Sequence, residues 1–180
     1  MSAMGDKPLS IAVIGLGNVL LGDDGFGPFV IELLRRRYDF APQVELLDLG
    51  TPGLGLITHL YGLDAVVIVD AVAGVGNPGE VRVWEGDELM QMGSVPRVSP
   101  HDPAVAEALC VARAAGDRPL DACLVTTVPG SLDLGAALSE VARAAADVAV
   151  DIIRRRVEDC GFEVRPRDAG LIEIDWWLRS

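Results

Sequence analysis

Basic residues are scarce in this chain, aromatics scarcer still, and the cysteines too few and scattered to build a framework. Lysine and arginine number 15 against 27 acids, a formal net charge of −12 at pH 7. Binding to a phosphate backbone needs clustered cations, so nucleic acid is excluded as a partner. Cys110, Cys123 and Cys160 are widely spaced with no CxxC pair. That argues against a disulfide framework and against a thiolate zinc site, and each cysteine is expected to be a buried apolar residue. No apolar run approaches the ~20 residues that span a bilayer. A basic region leading into an apolar stretch and a small-residue cleavage site is also missing from the N-terminus. The expectation is a cytoplasmic protein that does not meet a membrane.

What the chain does have is ordinary for a globular α/β domain: 180 residues, half of them hydrophobic. That length suffices for one domain burying about two-thirds of its unfolded surface. One domain over 1–180 is expected, with its core at 10–158 and a C-terminal tail at 159–180. Residues 10–15, "SIAVIG", read as a buried strand. Phe26, Val30, Leu33 and Leu34 then fall at helical spacing, ending in "RRRYD", where cations suit the helix dipole. Strands are predicted at 43–50, 64–72, 80–85 and 121–128, with the third-strand run "DAVVIVDAV" apolar enough to be central and parallel. Thr51 and Pro52 open a short helix over 51–60, and Asp102 and Pro103 a longer one to about Ala115. A loop over 86–102 and an amphipathic helix over 134–158 complete the scheme. Strands alternating with helices imply a three-layer α/β fold, a mostly parallel twisted sheet of about five strands with helices on both faces.

In open sheets of this kind, ligands gather beyond the carboxyl ends of the strands. Asp23 and Asp24 follow the first strand, Asp48 ends the second, Asp70 ends the third, and His101 lies in the long loop. One of Asp23 and Asp24 is expected to cap the following helix; one cap is enough, which leaves the other acid unexplained. Asp48, before Gly50 and Thr51, reads as a turn stabiliser, and Asp70 is equally suited to bonding the turn behind it. His59, on the short helix, has weaker claims than His101. Two carboxylates and one imidazole at one sheet edge make an O,O,N set for a divalent transition metal, with open positions left over.

The stretch "GLGNVLLGDDGFGP", residues 15–28, admits three readings. As a dinucleotide fingerprint it has only the first two glycines, Leu20 occupies the third position, and two acids would repel a pyrophosphate. "IAVIGLGN" resembles the opening strand of bacterial peptidyl-tRNA hydrolases, but the likeness ends within eight residues and the net charge opposes tRNA. Over roughly residues 10–150 the chain resembles the NiFe-hydrogenase maturation proteases. That likeness runs through "GLGNVLLGDDGFG" (15–27), "DLGTPG" (48–53), "IVDA" with Asp70, "SPH" ending at His101, and "VPGSLDLGAALSEV" (128–141), in that order.

The resemblance implies an endopeptidase that trims the C-terminal peptide from a hydrogenase large-subunit precursor whose nickel is already inserted beside its C-terminal cysteine motif. It assigns metal binding to Asp24, Asp70 and His101, the residues already singled out at the sheet edge, with Asp24 and Asp70 as catalytic carboxylates. Nickel is then carried by the substrate, and other divalent metals can stand in for it in vitro. Two departures stand out. Many relatives have Glu at the position of Asp24, and "TTVPG" lacks a glycine usual before the later proline, so the backbone near Thr127 and the cleft wall there are expected to differ. With no heptads or repeats, a monomer is expected. The alternative is a non-cleaving, nickel-dependent checkpoint or chaperone that binds the large subunit. Trp176 and Trp177, in the tail, are expected to pack on the protein itself.

Overall fold

A computed structural model describes residues 9–74, 76–91, 105–116, 119, 121–135 and 137–167. Five strands form the sheet: β1 (Ile11–Leu16), β3 (Val44–Gly50), β4 (Ala65–Ala71), β5 (Val81–Glu85) and β6 (Asp121–Thr127). Their order is β3-β1-β4-β6-β5. The first four run parallel, and β5 is antiparallel at the edge beside β6. Every residue of β1 is buried, as are five in a row of β4, which suits strands flanked on both sides and covered on both faces.

Two helical layers cover the sheet. On one face Val13, Val67, Val69 and Val125 meet α1 (Phe26–Arg37) and α4 (Glu140–Asp159) through Phe26, Val30, Leu34, Ala146 and Ile153. Alanines at 142, 145, 146 and 149 keep the α4 contact face narrow, so the helix lies close to α1. Arg143 of α4 stands 5.9 Å over the Phe29 ring of α1. On the opposite face Ala12, Ile14, Val66, Ile68 and Leu124 meet Leu56, Leu60 and Leu89, together with Leu109 of α3 (Val105–Ala114). Each such buried Val, Leu or Ile contributes about 1.5–3 kcal/mol relative to exposure.

Several local expectations are corrected. Residues 86–91 are not loop but the helix α2 (Gly86–Gln91), begun at a glycine with φ +52° and carrying Asp87 and Glu88 in its first turn, where acids complement the helix dipole. The final helix starts at Glu140 rather than 134, because Ser139 caps it by accepting the Ala142 N–H and Gly135 sits at φ +74°. Residues 53–59 form a 3-10 helix with Pro52 in the capping position and no side-chain cap from Thr51. Part of the tail folds back: β7 (Val164–Pro166) pairs antiparallel with β2 (Tyr38–Phe40). Of the cysteines, Cys123 is buried and Cys160 half-buried, but Cys110 is exposed, since α3 turns Leu109 and Ala112 inward and leaves Cys110 outside. Asp102, Pro103, Trp176 and Trp177 lie outside the described residues.

Candidate functional site

The glycine turn after β1 is a backbone joint. Gly17 has φ +130°, conformational space that L side chains rarely occupy, and a Cβ there would collide with the carbonyl oxygen of Asp24. The Gly17 N–H donates to the Gly50 carbonyl at 2.9 Å, tying the turn to the end of β3. Residues Gly22–Gly25 then make one turn of 3-10 helix before α1 begins. With three residues per turn, consecutive side chains diverge by about 120°, so Asp23 and Asp24 serve different surroundings.

Asp23 is fully buried and its carboxylate is saturated by a distant segment. The N–H groups of Gly130 (2.7 Å) and Ser131 (3.1 Å) donate to Oδ2, as does the Ser139 hydroxyl (2.7 Å), while the Ser139 N–H donates to Oδ1 (2.7 Å). Four donors meet the cost of taking a carboxylate out of water. The Asp23 N–H donates in turn to the Ser131 carbonyl at 2.9 Å. Neither acid caps α1: Gly25 occupies that position with no side-chain cap bond. Both acids lie within the 3-10 turn that precedes this cap, and the helix that Asp23 serves is α4, through its cap Ser139.

Asp24 is 7% exposed. Its Oδ2 accepts the Asn18 N–H at 2.8 Å, and its own N–H donates to the Leu21 carbonyl at 3.0 Å. Asp70 stands near the carboxyl end of β4, half-buried, in register with Thr126 of β6, and its Oδ1 accepts the Ala71 N–H at 2.8 Å. The 3-10 turn carrying Asp24 packs directly on β4, so the elements bearing Asp24 and Asp70 meet at the carboxyl edge of the sheet. Asp48, one strand farther out, accepts the Gly50 N–H at 3.1 Å, the turn-stabilising role read from its position. His101 lies outside the described residues, and among the described residues no group of three or more His, Cys, Asp or Glu is arranged to hold a metal. Two carboxylates present oxygen chemistry suited to a divalent cation that brings its other ligands with it.

Sequence reasoning missed what Asp23 does, because its partners are 107 to 116 residues away. The available signal was Gly130, Ser131 and Ser139 within 128–141, small residues whose free N–H and O–H groups cluster around one acid. Near Thr127 the ladder is regular: Thr127 pairs with Ala71 and with Val81. Its hydroxyl is nonetheless buried without a hydrogen-bond partner among the described residues.

Comparison with known proteins places this architecture. A family model described as hydrogenase maturation protease matches residues 28–156. The hydrogenase expression/formation protein HoxM of Cupriavidus necator is 37% identical over 150 residues, 81% of this chain and 74% of that protein. The hydrogenase 2 maturation protease of Escherichia coli is 31% identical over 162 residues, 89% of this chain and 98% of that one. Among solved structures, the hydrogenase maturating endopeptidase HybD from Escherichia coli superposes with a TM-score of 0.83 at 30% identity, covering 90% of this chain and 100% of that chain.

Proposed function

Because the chain belongs to the hydrogenase maturation protease family, we propose that it is the endopeptidase that removes a C-terminal peptide from the nickel-loaded large-subunit precursor of a NiFe hydrogenase. The observation that carries this reading is the meeting of the Asp24 turn with the Asp70 strand at the carboxyl edge of the sheet. His101, outside the described residues, is assigned as the third ligand.

In this reading nickel belongs to the substrate. The precursor presents it beside the C-terminal cysteine motif, and Asp24, Asp70 and His101 complete its coordination without removing it. Three protein ligands suit that task, since they leave positions for the substrate's own donors. Asp24 is held for it by the Asn18 N–H, which restricts the carboxylate to one orientation. Hydrolysis adds the oxygen of water to the scissile carbonyl carbon, breaks the C–N bond, and sends a proton to the departing amine. Two activation schemes fit the residues. The substrate's metal polarises the carbonyl or the water, or Asp24 or Asp70 takes the proton of the water as general base.

The rim of the edge suits a polypeptide. Leu20 and Leu134 are 59% and 80% exposed. They are carried on backbones pinned together by the Leu21–Leu134 bridge and by the Gly135 N–H, which donates to the Leu20 carbonyl at 2.7 Å. Among the described residues no helix is long and apolar enough to cross a membrane. We assign the reaction to the cytoplasm and to a monomer.

The test is a cleavage assay on precursor large subunit, with and without nickel, read by mass spectrometry of the C-terminal peptide. Release only from nickel-loaded precursor is the expected result. Tight binding of that precursor without shortening would make the protein a checkpoint instead, and neither binding nor cleavage would overturn both readings.

A further inference from the structure

Asp23 is buried, saturated with hydrogen bonds and adjacent in sequence to Asp24, yet it has no part in the chemistry above. Its four donors come from one segment, 130–139. On the other side of the same 3-10 turn, Asp24 is held by the Asn18 N–H at 2.8 Å and by the fit of its carbonyl against Gly17. The turn is therefore clamped from two directions, with Asp23 gripping the segment that leads into α4 and Asp24 gripping the loop that leaves β1. Gly22 tightens the clamp, because its φ of +51° folds the backbone against the Ser131 carbonyl. One turn of 3-10 helix has little stiffness of its own, so the direction of the Asp24 carboxylate is set by what holds the turn on both sides.

We infer that Asp23 is a positioning residue: its bonds to Gly130, Ser131 and Ser139 fix the orientation of the Asp24 carboxylate toward the substrate. This inference rests on the assignment of Asp24 to the reaction. Aspartate is required rather than asparagine because donors converge on both oxygens. Three reach Oδ2 and one reaches Oδ1, so an amide NH2 in either place would face an N–H or O–H instead of accepting from it. Ser139 belongs to the same device, since its hydroxyl both donates to Asp23 and accepts from Ala142 at the start of α4.

The experiment compares wild type with Asp23→Asn at a temperature where circular dichroism finds both folded. Cleavage of nickel-loaded precursor is followed together with amide hydrogen exchange. Displacing a reacting group by about 1 Å costs on the order of a hundred-fold in rate, so kcat per folded molecule falls by about that factor while KM changes little. The Asn18 amide, whose partner is Asp24, exchanges about ten-fold faster as the turn opens locally, while the amides of β4 keep their protection. A merely structural Asp23 would lower the folded fraction and leave both quantities unchanged per folded molecule; that result overturns the inference. If wild type leaves the precursor whole, the proposed function falls, and the exchange at Asn18 alone decides whether Asp23 holds Asp24. Should Asp23→Asn not fold, Ser139→Ala keeps the backbone donor and loses only the hydroxyl. It is expected to show the same two changes in smaller degree, and unchanged kcat with unchanged Asn18 protection would overturn the inference there too.

Discussion

Gly27 of α1 lies directly on Val69 of β4: a methyl group added at Gly27 would stand 2.5 Å from the Val69 carbonyl oxygen and 2.6 Å from the Leu16 nitrogen. Both neighbours are strand backbone and cannot give way as a side chain would. The first turn of α1 is thus seated on the two central strands, immediately after the acids. Gly27→Ala should lift α1 from the sheet and cost about 3 kcal/mol or more, at or above the upper range for overpacking a close-fitting site. Urea denaturation reads this directly, and a loss under 1 kcal/mol would mean that the helix shifts freely.

Asp24→Ala, Asp70→Ala and His101→Ala should each reduce cleavage of nickel-loaded precursor by about 10²–10⁴-fold, the range for losing a positioned acid–base group. Asp24→Glu should retain activity, since it keeps the carboxylate and lengthens its arm by only one methylene. Mass spectrometry of the precursor, alongside circular dichroism of each variant, separates lost chemistry from lost fold. Full activity in any one alanine variant removes that residue from the site.

The Thr127 hydroxyl is buried at the end of β6 with no hydrogen-bond partner among the described residues. Valine has nearly the same shape and no polar atom to desolvate. Thr127→Val should therefore raise stability by about 1 kcal/mol, the lower end of the cost of an unsatisfied buried polar group. A rise in Tm checks this, and a fall would mean that water or a neighbour serves the hydroxyl.

Burial pushes the Cys123 thiol up to about 12, from an ordinary value of 9.0. In the folded protein the proton is held more tightly, so this contribution to stability is complete below pH 9 and lost as pH rises from about 9 toward 12. Each pH unit in that window costs about 1.4 kcal/mol. Thermal melts from pH 8 to 10.5 should show a decline that Cys123→Ala makes shallower. Iodoacetamide at pH 8 should label exposed Cys110 well before Cys123.

What was legible in the sequence followed from local pattern. The apolar runs of β1 and β4, and the helical spacing of Phe26, Val30 and Leu34, each reflect burial on one stretch of chain. Elements that depend on remote partners were not legible. The β2–β7 pair joins residues far apart in sequence through Tyr38–Pro166 and Phe40–Val164, and neither strand has a long alternating run. Leu134 and Leu138 continue the helical period and point to an earlier start for α4, whereas the Ser139 cap and its tie to Asp23 set the boundary. The same division holds at the site. Asp24 and Asp70 stood out by their positions after strands, but the separate duty of Asp23 depends on a segment more than a hundred residues later.

That separation also orders events during synthesis. Asp23 leaves the ribosome 107 to 116 residues ahead of the groups that satisfy it, an interval of roughly 5–20 s at about 5–20 residues per second. Until then β1, α1 and β4 can assemble, but the carboxylate destined for their interior has only water to bind. A chain that stops before residue 130 would carry both acids and lack the clamp. The acids are among the first parts of this protein to be made, and their setting is among the last.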